Sequence, residues 1–340
     1  MSDEARPHAE AEPFPAGSVH AGWRVTGPPR PERGPVRAYP LVAEADGAPG
    51  QLQHLVLTGA AGRLQREALR RTGAALEAAR EVLLAVELLE REDGLAVIVP
   101  RHPGLDELQA PPADELLELL REAASALRVL HGRGLAHGEL DPQALVRTPQ
   151  GLRLLPPGVR PVPADLAGLG LVADPLYAAP EVLDGRPPTP ASDCFSLGLV
   201  LLRLASGRPP LEAGARDGEV EVDPLAAFLR RVSAPLPDLA AVQPGVDPRL
   251  LSLYRRLCAP YDARPADAEA LLELLDRCRS QPLPPPPPVG VRVHDQRLGL
   301  ALIAACIAAG ALTVAVSAAA IIPTPSALSG VTLPQAGERE

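Results

Sequence analysis

Leu127 to Leu155 reads LRVLHGRGLAHGELDPQALVRTPQGLRLL. Its first residues close a helix. Asp114 to His131 places Leu116, Leu117, Leu119, Leu120, Ala124 and Leu127 on one broad apolar face. Beyond the helix, His137-Gly138-Glu139-Leu140-Asp141-Pro142-Gln143-Ala144 concentrates polar and turn-forming residues. C-terminal to this stretch the pattern is helical, over Ser192–Ser206, Arg249–Cys258 and Ala266–Cys278. N-terminal to it, the chain divides near residue 104. The earlier part reads as strands at Gly22–Val25, Val36–Ala43, Gln51–Thr58, Val82–Leu89 and Leu95–Val99, with a helix over Arg63–Ala78 after the third. Glu92-Asp93-Gly94 signals a hairpin between the last two strands.

The opening stretch resembles the catalytic loop of the protein kinases, in which a helix ends in an L-H pair and H-R-D-L-x-x-x-N follows. Further motifs come in the family's order. Ala179-Pro180-Glu181 matches A-P-E, and Ser192-Asp193-Cys194-Phe195-Ser196-Leu197-Gly198 resembles the helix whose Asp braces the catalytic loop. Gly207-Arg208-Pro209-Pro210-Leu211 is similar to the T-G-x-P-P-F turn, and Arg264-Pro265 supplies the Arg that pairs with the A-P-E Glu. The resemblance spans about residues 20–278. It implies an α+β, two-lobed kinase-like fold, with a five-stranded small lobe carrying one helix at 21–104 and a mainly helical large lobe at 105–280. It also implies structural roles for Glu181, Asp193 and Arg264: a buried Glu181–Arg264 ion pair, and a carboxylate at 193 holding the backbone near His137.

The positions that carry kinase chemistry depart from the pattern. The chain contains no lysine and no asparagine. A kinase uses one Lys on the ATP phosphates and one Asn on a metal ion. The Lys position falls at Leu57 or Thr58, leaving Glu67 on the following helix without its cation. The catalytic Asp is Glu139, one methylene longer, the Asn is Ala144, and the Arg of H-R-D is Gly138. The D-F-G metal site aligns with Pro156-Pro157-Gly158, which has no carboxylate; Asp165 is the alternative, at the cost of an insertion. The glycine-rich loop keeps only Gly27 and Gly34, and its prolines lack the N–H groups that cradle phosphate. Arg30 and Arg33 are the cations nearest to replace them. His137, Glu139, Ala144 and Pro156 are thus degenerate catalytic positions, and Gly27, Gly34 and Glu67 a weak nucleotide set. No metal site and no cofactor is expected, with ATP the one candidate. The expectation is a pseudokinase acting through protein partners, an active kinase among them. The alternatives are a divergent Ser/Thr kinase with Glu139 as base, and a metal-independent nucleotide sensor.

Composition limits the remaining classes. Net charge is −9 with no dense basic cluster, which argues against a nucleic-acid partner. Aromatics make up only 2% of the chain, so the core must be built from Leu, Val and Ala. Cys194, Cys258, Cys278 and Cys306 lack C-x-x-C spacing, which argues against zinc and a disulfide framework. Residues 1–20 read as a disordered acidic tail without a signal peptide. Residues 281–297 form a Pro-rich juxtamembrane linker. Leu298–Ile322 is 25 residues without a charge, enough at about 1.5 Å per residue to span a bilayer as one transmembrane helix. Arg292, His294 and Arg297 precede it, placing the kinase-like domain in the cytoplasm and the tail 323–340 outside. Bacterial Ser/Thr kinases, which this arrangement resembles, often carry the domain before such a span. Ala301, Ala305 and Ala309, continued by Thr313 and Ser317, make a small-residue stripe suited to a homodimer.

Overall fold

The computed structural model describes residues 13–31, 36–55, 70, 73–75, 77–91, 94–102, 105, 108, 110–159, 174–210, 236–279 and 281–284. The small lobe is an antiparallel sheet of β1 (Val19–His20), β2 (Trp23–Val25), β3 (Arg30–Pro31), β4 (Val36–Ala43), β5 (Pro49–Leu55), β6 (Glu87–Arg91) and β7 (Gly94–Pro100). Their order is β1-β2-β4-β5-β7-β6, with β3 also on β4. Among the described residues the sheet has seven strands, where five were expected. The strand expected at Gly22–Val25 is β2; β1 and β3 are additional, and Pro28 and Pro29 between β2 and β3 offer no N–H to a ladder. The Arg91–Gly94 pairing of β6 and β7 closes the hairpin that the sequence signalled. Within the helix expected at 63–78, residues 70, 73–75 and 77–78 are described and helical.

Alternation divides the sheet into two faces. Tyr39, Leu52 and Ile98 sit side by side in register on one face, and Phe14 covers them. Residues 13–20, assigned from sequence to a disordered tail, are ordered here. Phe14 is 1% exposed and meets the rings of His20, Tyr39 and His54 edge-on at 4.9, 5.3 and 5.4 Å, so its burial fixes the arm. The opposite face presents Val97 and Val99 to the large lobe.

In the large lobe, α1 (Ala113–Gly132) buries every apolar residue that its periodicity selects. A 3-10 turn (Pro142–Ala144) and the hairpin of β8 (Leu145–Thr148) and β9 (Gly151–Leu154) follow. The chain continues through α2 (Pro180–Leu183), α3 (Pro190–Ser206), α4 (Leu239–Val242), α5 (Pro248–Leu257) and α6 (Ala268–Cys278). A Thr189–Ser192 capping box starts α3, and Gly207 at φ +72° ends it. Gly198 lets α5 approach, since a Cβ there would lie 2.7 Å from Cys258 Sγ. The lobes are joined through backbone: the Leu84 N–H donates to Leu154 O at 2.7 Å, and the Leu154 N–H to Val82 O at 2.9 Å.

The linker does not leave the lobe at residue 281. Leu283 is buried in the core, its N–H donates to Ser252 Oγ at 2.9 Å, and Arg256 donates to Pro284 O. Among the described residues no helix is long and apolar enough to cross a membrane. The expected span 298–322, with Ala301, Ala305 and Ala309, lies outside them.

Candidate functional site

Three polar clusters surround the stretch 137–158. In the first, Asp193, at the start of α3 and fully buried, receives three donors. The His137 N–H and the His131 Nε2 reach Oδ2 at 2.7 and 3.0 Å, and the Gly138 N–H reaches Oδ1 at 2.7 Å. His131 Nδ1 accepts the Ala268 N–H at 3.0 Å, which places the ring proton on Nε2, facing Asp193. His137 is fixed in the same way. Its Nδ1 accepts the Glu139 N–H at 3.2 Å, and its Nε2–H donates to Leu155 O at 2.7 Å. Each buried polar group therefore finds a partner of the right kind.

The second cluster ties the lower part of the lobe together. Arg264 forms a two-point bridge to Glu181, Nη1 to Oε1 at 3.0 Å and Nη2 to Oε2 at 3.1 Å. Its guanidinium lies 4.8 Å from the Phe195 ring centre and 5.3 Å from that of Tyr261. Ser192 Oγ also donates to Glu181 Oε1 at 2.8 Å, a partner that the sequence reading missed. Nothing in Ser192's spacing distinguishes it from a capping residue, which it also is. Beside this cluster, burial pushes the Cys194 thiol well above its ordinary range, and the Asp193 and Asp267 carboxylates add to the shift. The thiol therefore stays protonated and donates to Asp267 O at 3.4 Å.

The third cluster holds the degenerate catalytic positions. Gly138 has φ +78°, and a Cβ there would lie 2.6 Å from Pro188 Cγ. An arginine there would be strained both by the backbone and by the proline ring. Glu139 is 6% exposed, and its Oε2 accepts the Gly158 N–H at 2.8 Å. Asp141 caps the 3-10 turn by accepting the Ala144 N–H at 2.8 Å. Ala144, fully buried, packs with Leu84, Val97, Val146, Leu155 and Val159, an apolar cluster drawn from both lobes. Pro156, Pro157 and Gly158 are buried beside it. Neither Ala144 nor Pro156 offers a side-chain oxygen, so these two positions do not fit the metal of Mg–ATP. Among the described residues no three His, Cys, Asp or Glu side chains gather as metal ligands. Gly27 lies near β2, where its Cβ would touch Pro40, and Arg30 lies in β3. Leu57, Thr58, Glu67, Arg33, Gly34 and Asp165 lie outside the described residues.

Comparison with known proteins agrees with this architecture. The protein kinase domain profile matches residues 62–266, more than half of the chain. The chain belongs to the protein kinase family. It is 33% identical over 181 residues to the serine/threonine-protein kinase PknK of Mycobacterium tuberculosis, covering 52% of this chain and 15% of PknK. It is 30% identical over 179 residues to the probable serine/threonine-protein kinase PkwA of Thermomonospora curvata, covering 51% of this chain and 22% of that relative. The aligned stretches are thus a small part of these relatives' own length. The crystal structure of the M. tuberculosis PknI kinase domain superposes with a TM-score of 0.54 at 22% identity, over 78% of this chain and 99% of that domain. This likeness establishes the fold.

Proposed function

We propose that this protein is a pseudokinase, a kinase-fold protein that works by binding other proteins rather than by transferring phosphate. One observation carries the reading. The position that should hold a metal-binding amide is Ala144, fully buried in an apolar cluster with Val97, Val146 and Leu155. A divalent cation held there would lose its water and gain no oxygen in return. The absence of any lysine removes the fixed charge expected on the phosphates. The uncharged run 298–322 anchors the domain to a membrane, with the domain on the cytoplasmic side. Its partners are proteins, an active kinase being the partner class that the fold suits best.

A second reading has the relatives' names behind it, since PknK and PkwA are called serine/threonine-protein kinases. In that reading Glu139 accepts the substrate hydroxyl proton and ATP is bound by other groups. Incubation of the full-length chain with labelled ATP, Mg²⁺ and a generic acceptor protein separates the two. No transfer from either the native chain or Glu139→Gln is expected. Transfer by the native chain that is lost in Glu139→Gln establishes the enzyme.

A further inference from the structure

Pro156-Pro157-Gly158-Val159 turns the chain directly after β9, and Gly158 holds φ +79°. Proline at the second position with a positive-φ glycine at the third is the signature of a type II turn. The hydrogen bond of such a turn joins its first and fourth residues. The amide of the third is left over, and a buried amide needs an acceptor. Gly158 is buried, and Glu139 Oε2 accepts its N–H at 2.8 Å. Two more bonds close the same seam: His137 Nε2–H to Leu155 O at 2.7 Å, and the Leu155 N–H to Ala144 O at 2.8 Å.

We propose that Glu139 is a latch whose carboxylate clamps the turn 156–159 onto the loop 137–144. The glutamate in the base position and the Pro-Pro-Gly in the metal position are then two halves of one device. Each substitution makes sense of the other. The turn presents a buried amide, and an aspartate at 139 would end one carbon–carbon bond, about 1.5 Å, short of it. The latch fixes the start of the segment after β9 by protein groups alone, so its course depends on neither metal nor nucleotide. This role rests on the reading that Glu139 is no catalytic base.

The test measures amide hydrogen exchange in the full-length native chain, Glu139→Asp and Glu139→Gln, alongside phosphate transfer from ATP. The hydrogen bond to a charged acceptor predicts Gly158 exchange roughly 10- to 100-fold faster in Glu139→Asp. Glu139→Gln, which keeps both the reach and an acceptor oxygen, should change it less than about 10-fold. Acceleration confined to the 154–158 seam supports the latch. Unchanged Gly158 exchange in Glu139→Asp overturns it, and so does acceleration shared equally by Leu127 in α1, which marks general loosening. Phosphate transfer appearing in Glu139→Asp is a separate failure, of the pseudokinase reading.

Discussion

His137 and Glu139 stand two residues apart, and their surroundings have diverged in opposite directions. Around His137, polar groups meet polar partners: Asp193 takes three donors, and two histidine tautomers are set by their neighbours. The Glu181–Arg264 bridge pairs two buried charges through two hydrogen bonds. Around Glu139, the positions that hold the metal in a kinase are filled by Ala144, clustered with valines and leucines, and by the buried Pro156. The first region serves the fold and the second would serve the chemistry. A buried charge is costly unless paired, so the bracing groups cannot be lost singly. Catalytic groups carry no such penalty: an apolar replacement at a buried position such as Ala144 adds to the packing.

Removing one partner from each region tests this contrast. Glu181→Ala leaves the Arg264 guanidinium buried without its carboxylate and should lower stability by about 3–5 kcal/mol, read as a shift in the urea midpoint. A loss under about 1 kcal/mol would remove the brace from the comparison. Substitutions in the other region should harm the protein as well, and none should bring back kinase chemistry. Gly138→Ala forces a left-handed backbone and drives a methyl into Pro188, costing about 2–3 kcal/mol by the same measurement. Ala144→Asn buries an amide among valines and leucines, costing about 1–3 kcal/mol, and should give no gain in Mg²⁺-dependent nucleotide binding. A stable Ala144→Asn that binds Mg–ATP would erase the difference between the regions.

The smallest effect lies outside both. The Arg249 guanidinium holds the Asp247 carboxyl below its ordinary range, and Arg255 does the same for Asp238. A carboxyl depressed on folding stabilises the protein above its unfolded-state pKa and loses that contribution as pH falls through the folded value. Urea midpoints followed from about pH 5 to pH 2 should therefore fall, and fall less steeply in Asp247→Asn.

The order of motifs made much of this legible. Val36–Ala43 forms the strand expected, and α1, α3, α5 and α6 lie within two residues of the periodic segments. Glu181 and Arg264 are 83 residues apart, and only the family order of their motifs links them in sequence. What stayed hidden depends on tertiary direction. Phe14 sits in an acidic, proline-bearing arm whose composition reads as disorder, yet one aromatic ring finds a pocket of three others. Glu139 shows its length in the sequence but not the amide to which it points. Leu283 reads as part of a proline spacer because burial by a neighbouring helix leaves no periodic mark in so short a segment.

The central claim is that Ala144 and Pro156 offer no ligand to the metal of Mg–ATP, and nucleotide binding tests it most directly. Titration of the full-length chain with ATP in a calorimeter, with and without Mg²⁺, should give no heat of binding up to millimolar nucleotide in either condition. Tight binding that requires Mg²⁺ would contradict the account, because it would demand a metal ligand set that Ala144 and Pro156 do not supply.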